Sequence, residues 1–456
     1  MATPIPLPSG LSGGKRTPKQ KEVIRNAYVL NDQVPTIRTR PVVKSVGSSL
    51  GRCRGIGLFR DELYMVSNDR LVKITLTDPN LPPLNNLTID DLGEIGGEAE
   101  CQLEAGFTEL CVIVRGGAGY VYNETDGLRE IIDPSYKPSV YIEYDQGRFV
   151  FVPSSGDPFF WSLLQDPANI LAVNFADAEE FPDLNKVVFY RRKQIYVGGG
   201  RSFERIIYNS KIDTYASIDG ASSAFGFIGG KTDYNETFMF LGVGENGGFS
   251  IYMMSESPKK ISTPSVDEIL GEYTADELKD VTAASFMWEG VEFALFYLPN
   301  ETLCFYGGWS KWHSDTKETT TWSPQYFQFC YGYIFTGDKA LPTVGIISDG
   351  EKEYGKDVDA GFTTFIKTSP RNGTIINKVF ASINPGESGN ESSMGLSVSR
   401  DGVIYGPTVY KSIGVVGNYA QEMYWGPSII KMGDFCGLDF SWRGDMQLTC
   451  DGVSFE

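Results

Sequence analysis

The sequence predicts a mainly β protein: a β-propeller of about six blades with a smaller β-rich platform domain. Three observations carry that expectation. Fifty-one glycines and 24 prolines in 456 residues leave few uninterrupted windows for long helices. Aromatic residues make up 13% of the chain, and they favour strands. From residue 55 onward, short apolar runs recur, joined in pairs by tight polar turns.

The clearest such stretch runs from Gly156 to Tyr208. Phe159, Phe160 and Trp161 lead to a Pro-broken turn at Asp166-Pro167, and a second turn falls at Pro182-Asp183. Two strands follow, Val187 to Tyr190 and Gln194 to Val197, joined by Arg191-Arg192-Lys193 and ended by Gly198-Gly199-Gly200. A hairpin closed by glycines is the punctuation of a β-meander. Five further units share this character: residues 55–76, 110–151, 237–261, 285–313 and 327–350. Their turns are expected at Arg60-Asp61, Asn68-Asp69, Gly116-Gly117, Asp126-Gly127, Gln146-Gly147, residues 245–248, Glu289-Gly290, Pro299-Asn300, residues 336–338 and Asp349-Gly350. The units start roughly 40–80 residues apart, close to the length of a propeller blade. One four-stranded blade cannot bury both faces alone, whereas blades packed radially cover one another and leave only short edges. Stacked β-sandwiches are the competing architecture.

Other segments complete the plan. Residues 1–52 read as a basic, extended N-terminal arm, 53–360 as the propeller-like domain and 361–456 as the platform or sandwich. Within the arm, Pro4, Pro6 and Pro8 stiffen the start, residues 19–30 suit a short helix, and residues 36–41 an extended strand. Residues 262–282 break the β pattern. Thr274 followed by Glu277 resembles a capping box, so two short helices are expected near 265–272 and 274–280. Alternating segments after residue 360, including 362–366, 377–383, 394–399 and 438–448, suit a smaller sheet pair.

Charge is uneven. The total is −18, but residues 1–52 carry nine basic side chains against Glu22 and Asp32, a net of +7, leaving −25 for the rest. A basic arm on an acidic body points to an acidic neighbour, a second copy included; a solvated tail explains it equally well. Nucleic-acid binding by the body is disfavoured, because phosphates are repelled. No apolar run approaches the ~20 residues that cross a bilayer, and the first twenty residues lack the apolar centre of a signal peptide, so folding in a cytosol is expected. Cys53, Cys101, Cys111, Cys304, Cys330, Cys436 and Cys450 are scattered and odd in number, which suits buried free thiols.

No catalytic, cofactor-binding or metal-binding residue is assigned. His313 is the only histidine, so sites needing two are excluded, and its place beside Trp309 and Trp312 suits a structural, hydrogen-bonded role. Glycine clusters at 116–119 and 198–200 lack the strand-to-helix order of a phosphate cradle. Acid pairs such as Glu179-Glu180 and Asp90-Asp91 are expected by chance among 58 acids. Residues 399–405 resemble a single Asp-box with Tyr405 where Trp is usual; an Asp-held turn explains them equally well. Asn123, Asn235 and Asn300 head glycosylation-type triplets with nothing to place them in a secretory pathway.

Taken in order, residues 36–41, Cys53-Arg54-Gly55-Ile56, the hairpin 62–74, Trp161, Asp166-Pro167, residues 175–179, Pro182-Asp183, residues 194–196, 309–314 and 399–405 resemble the tail-hub or nozzle family of short-tailed bacteriophages, the packaged-DNA stabilisation proteins. The resemblance implies a homohexameric ring below the portal and its adaptor, without enzymatic activity or cofactor. The ring would retain packaged DNA and then pass it without specific binding. Needle or plug and spike or fibre proteins would attach, with no direct membrane insertion, in a virion tail assembled in the host cytoplasm. A carbohydrate-binding or glycan-hydrolysing propeller on a virion tail is the alternative. An acidic channel wall that does not grip phosphates is expected, with the arm reaching a neighbouring subunit or the adaptor.

Overall fold

Turn chemistry decides this fold. Arg60 and Asp61, Arg192 and Lys193, and Asn235 and Glu236 all have positive φ, between 47° and 62°. Two consecutive left-handed residues make the hairpin turn whose twist matches that of the flanking strands, so each strand folds directly back on its predecessor. Repetition of that step gives four-stranded meanders. The computed structural model describes residues 2–13, 22–31, 35–178, 183–244, 246–255, 257–314, 321–350, 352–367, 375–384, 392–413, 421–426, 430–431, 435–443 and 449–456.

Seven four-stranded meanders are present, and in six of them the strands pair in sequence order. Blade 1 runs from Cys53–Phe59 to Leu87–Glu94, blade 2 from Cys101–Ala105 to Gly127–Glu130, and blade 3 from Ser139–Asp145 to Phe175–Ala176. Blade 4 runs from Asn185–Arg191 to Thr214–Ser223, blade 5 from Gly226–Tyr234 to Pro258–Lys260, and blade 6 from Thr282–Trp288 to Trp309–Trp312. Blade 7 has only three strands of its own, Pro324–Cys330, Tyr333–Asp338 and Thr343–Ser348. Its fourth is Val42–Ser48, which precedes blade 1 in the chain.

Seven apolar clusters lie between successive blades, and they close the ring. Tyr64 and Val66 of blade 1 meet Val112 and Tyr122 of blade 2, Val121 meets Phe151, and Trp161 meets Val197. Phe189 meets Phe238, Leu241 meets Phe296, and Phe293 meets Ile334. The last cluster returns from Phe335 and Val344 of blade 7 to Met65 and Val72 of blade 1. At about 1.5–3 kcal/mol per fully buried large side chain, these seams are the main stabilising term.

The blade count is seven where the sequence suggests about six. Residues 110–151 look like one unit, yet the Gln146-Gly147 turn joins the first two strands of blade 3 instead of closing blade 2. The turn expected over 336–338 is also displaced. Those residues continue the strand Tyr333–Asp338, and the chain reverses at Tyr331 and Gly332, both with positive φ. Gly337 serves a close approach: a Cβ there would lie 2.2 Å from the Cys53 sulfur of blade 1.

Two short helices, Pro264–Leu270 and Ala275–Leu278, interrupt the link between blades 5 and 6 where the sequence places them. Thr274 and Glu277 form the expected capping box. Val266, Leu270 and Leu278 fill the wedge between the two blades. No helix among the described residues is long and apolar enough to cross a membrane.

The N-terminal segment differs from a free arm. Ile24–Arg25 and Ala27–Asn31 are strands where a helix is expected; residues 19–21 lie outside the described residues. Ala27–Asn31, Pro35–Thr39, Thr449–Phe455, Val379–Asn384 and Gln421–Trp425 form one sheet, with Thr3–Ile5 also paired to Thr449–Phe455. The facing sheet is Ala360–Lys367, Phe435–Arg443, Ser393–Ser399 and Val409–Ser412. Between them lies a core that includes Ile37, Phe362, Ala381, Met394, Trp425, Phe440 and Cys450. Val29 and Ile37 turn inward here, and burying them needs the far end of the chain; that is why these residues belong to the platform instead of extending into solvent. Ile24–Arg25 then pairs with Ala360–Lys367 on one side and with Trp309–Trp312 of blade 6 on the other. Blade 6 and one platform sheet are thereby a single nine-stranded sheet.

Candidate functional site

Polar side chains gather at the propeller axis and at the seam with the platform. At the axis, Ile56, Gln102, Tyr141, Lys231, Ala283 and Gln325 are among the residues lining a cavity of about 240 Å³. Lys231 reaches from blade 5 to the Glu143 carboxylate of blade 3, and donates to the Val188 carbonyl of blade 4 at 2.8 Å. The Gln102 amide donates to the Ile142 carbonyl at 2.6 Å and accepts from its N–H at 3.1 Å, so one side chain imitates strand pairing between blades 2 and 3. Glu104 sits beside this group. Burial raises its carboxyl above the usual range, Glu143 adds to the rise, and Lys231 opposes it. Burial likewise raises Glu143 despite its Lys231 partner. These groups stitch blades together and can hold a proton.

The axis is narrow. Side chains from six of the seven blades line the one cavity, and Lys231 of blade 5 reaches both blade 3 and blade 4. A bore for a duplex ~20 Å across would hold the inner strands too far apart for one side chain to do this. A duplex therefore does not pass through the axis of one chain.

At the seam, Arg40 is completely buried and pairs with Glu353 at 2.6 Å. Its other donors reach the Asn26 side chain at 3.0 Å and the carbonyls of Pro41 at 2.9 Å and His313 at 3.0 Å. Its guanidinium lies 5.0 Å from the Trp322 ring centroid. Glu353 also accepts from Ser314 at 2.6 Å and from the Trp322 indole at 2.7 Å. A buried charge is tolerable only when its hydrogen bonds are met, and here they are. The group joins the N-terminal segment, blade 6 and the strand after blade 7.

His313 belongs to this seam. Its ring Nε2 lies 3.2 Å from the Asn26 amide nitrogen, and its backbone N–H donates to Asn26 at 2.8 Å. Asn26 itself is buried with φ 48°, a conformation its short polar side chain tolerates. The sequence names His313 but gives no sign of Arg40 or Glu353, which are 313 residues apart.

The remaining motifs resolve into turns. At the triple glycine, Asp183 accepts from the Arg201 N–H at 2.6 Å and from the Ser202 hydroxyl at 2.9 Å, and a Cβ on Gly199 would lie 2.5 Å from its carboxylate. The chain's own carboxylate occupies the space a phosphate would need. Gly116 and Gly117 turn between two strands of blade 2. Asp401 accepts from the N–H groups of Val403 and Ile404, both at 2.8 Å, and these bonds lower its carboxyl to about 2. That is an Asp-held turn. Asn123 spends its side chain on Glu109, Thr125 and Asp126. Asp91 pairs with Arg70, which lowers its carboxyl. Glu179-Glu180 and Pro182 lie outside the described residues. All seven cysteines are free and buried. Among the described residues no three His, Cys, Asp or Glu side chains gather as a metal site needs.

A closed ring of seven meanders, seamed edge to edge to a β-sandwich, defines a mainly β propeller protein. The chain matches the family model described as Bacteriophage P22 Gp10, beta-propeller, over residues 36–351, and it belongs to that family. The matched span takes in the closing strand Val42–Ser48 and all seven blades. The chain is 22% identical over 236 residues to the tail hub protein gp10 of Salmonella phage P22, covering 47% of this chain and 49% of that protein. The match thus spans about half the length of the curated relative. Among solved structures, the N-terminal domain of Nup159 is 9% identical with a TM-score of 0.43, covering 72% of this chain and 98% of that one. The WD40 propeller domain of Doa1 is 9% identical with a TM-score of 0.38, covering 68% and 96%.

Proposed function

We propose that the protein is a structural component of a short-tailed phage tail, forming the hub or nozzle ring below the portal and its adaptor. It retains packaged DNA and provides the channel for ejection, without catalysis. The observation that carries this reading is the family match across the whole propeller, residues 36–351. The relative's name, tail hub protein, supports it.

In this reading the DNA channel is built between copies, because the axis of a single propeller is too small for a duplex. We take the ring to be a homohexamer. The chain then works as two units, a propeller closed by residues 42–48 and a platform built from both chain ends. The portal–adaptor, a needle or plug, and spike or fibre proteins are its partners in the virion tail. DNA passes without specific binding: in this reading much of the −25 carried by residues 53–456 faces the lumen or the nozzle loops and repels phosphates. The test is negative-stain imaging of the purified chain, alone and mixed with an adaptor ring. A ring with a pore at least ~20 Å wide supports the reading. A monomer that turns over a sugar or an ester overturns it.

A further inference from the structure

The two ends of the molecule carry features that match each other and that one chain cannot bring together. On the link between blades 2 and 3, Ile132 is 89% exposed, the most exposed large apolar side chain among the described residues. Its position is fixed. Ile131 beside it is buried in the cluster between these blades. Asp133 accepts from the N–H groups of Ser135 at 2.7 Å and Ile170 at 3.1 Å. Glu130 and Asp133 therefore flank a rigid apolar knob with negative charge.

Across the ring, beyond blade 6, the platform ends in an apolar pocket of about 320 Å³. Leu396, Val398, Val409 and Trp425 line it, with Lys378 and Lys411 at its edge. Both lysines lie over the Tyr424 ring, at 6.0 and 4.3 Å, and among the described residues neither has a carboxylate partner. Val409–Ser412 and Gln421–Trp425, the last strands of the two platform sheets, flank the pocket. Val409, Tyr410 and Tyr424 are exposed there. Contiguous apolar exposure of this kind marks an interaction site.

We propose that the Ile132 knob of one copy seats in the platform pocket of the next, with Glu130 and Asp133 against Lys378 and Lys411. The contact is head-to-tail. Knob and pocket are different surfaces on opposite sides of the propeller, so repetition closes a ring or runs on as a filament. The pocket takes an isoleucine side chain with room to spare, and the charges fix its orientation. A knob already held by its own turn loses little freedom on docking. The proposal rests on the ring reading above and names the surfaces that build the ring.

The test is sedimentation velocity on the full chain across a concentration series. Variants are Ile132→Asp, Glu130→Lys, Lys411→Glu, and the last two combined. Ile132 is outside every core, so Ile132→Asp folds normally by circular dichroism. The expected result is that it weakens association roughly 10–100-fold, that each charge reversal weakens it too, and that the double reversal restores it. Wild type that associates together with an unaffected Ile132→Asp overturns the interface and leaves the ring standing. Loss with Ile132→Asp but no restoration by the double reversal overturns the pocket as the knob's partner. Wild type that stays monomeric at every concentration, both alone and mixed with the adaptor ring, overturns the ring and the interface together.

Discussion

The propeller and the platform solve the same problem in opposite ways. In the propeller each strand pairs with its sequence neighbour, and each blade packs on the next. Blade 7 reaches far along the chain for its fourth strand, to Val42–Ser48, and blade 6 pairs at its outer edge with Ile24–Arg25. In the platform most pairings are distant, the exceptions being Ala27–Asn31 with Pro35–Thr39 and Ser393–Ser399 with Val409–Ser412. Thr449–Phe455 pairs with Thr3–Ile5 and Pro35–Thr39 from the other end of the chain, as well as with Val379–Asn384. A repeat buries its surface step by step, whereas the sandwich has no core until both termini have arrived. The propeller should therefore tolerate local insult better than the platform and the seam that joins them.

The largest effect expected is from deleting residues 1–40. The platform loses Thr3–Ile5, Ile24–Arg25, Ala27–Asn31 and Pro35–Thr39, and the seam loses Arg40. Limited proteolysis should then digest residues 360–456 while a fragment spanning the seven blades resists. An intact platform after this deletion breaks the contrast. Arg40→Met comes next. It strands the Glu353 carboxylate among buried partners and should cost about 3–5 kcal/mol in urea unfolding; an unchanged midpoint would mean that the seam is not held by this pair.

Gly337→Ala tests the closure between blades 7 and 1, where the new methyl meets the Cys53 sulfur. A loss of about 1–3 kcal/mol is expected, with Cys53→Ala in the same chain recovering part of it. Glu104→Gln sharpens the view of the axis. Its carboxyl is raised in the folded state, so between the ordinary carboxylate range and the raised value the folded form binds more protons than the unfolded one, and stability falls as pH rises through that window. The glutamine variant should flatten this fall, by on the order of 1–2 kcal/mol at alkaline pH, when melting temperature is followed against pH. The smallest effect is that of Thr274→Ala, which removes the cap of a one-turn helix and should cost about 1 kcal/mol.

The same contrast explains what could be read in advance. Arg60-Asp61, Glu289-Gly290 and the Thr274–Glu277 box were legible, because turns and caps are written within a few adjacent residues. The seventh blade was hidden, since Gln146-Gly147 is an equally good turn inside one blade or at the end of another. Gly337 looked like a turn residue because a sequence cannot show that a sulfur from residue 53 would fill the place of its side chain. The basic N-terminal segment looked like a free arm because its strands pair with residues more than 300 positions away. Arg40 and Glu353 gave no signal at all: a buried ion pair is defined by geometry, and each partner alone is an ordinary charged residue.

By itself, then, the sequence determined the β class, the hairpin repeat and the two helices, because each depends on backbone preferences acting between close neighbours. Tertiary structure alone decided that seven blades close, that the strands Thr3–Ile5, Ala27–Asn31 and Pro35–Thr39 belong to the platform, and that the axis of one chain is too narrow for a duplex. Those outcomes depend on which distant surfaces bury one another, and that choice is made only when the whole chain has folded.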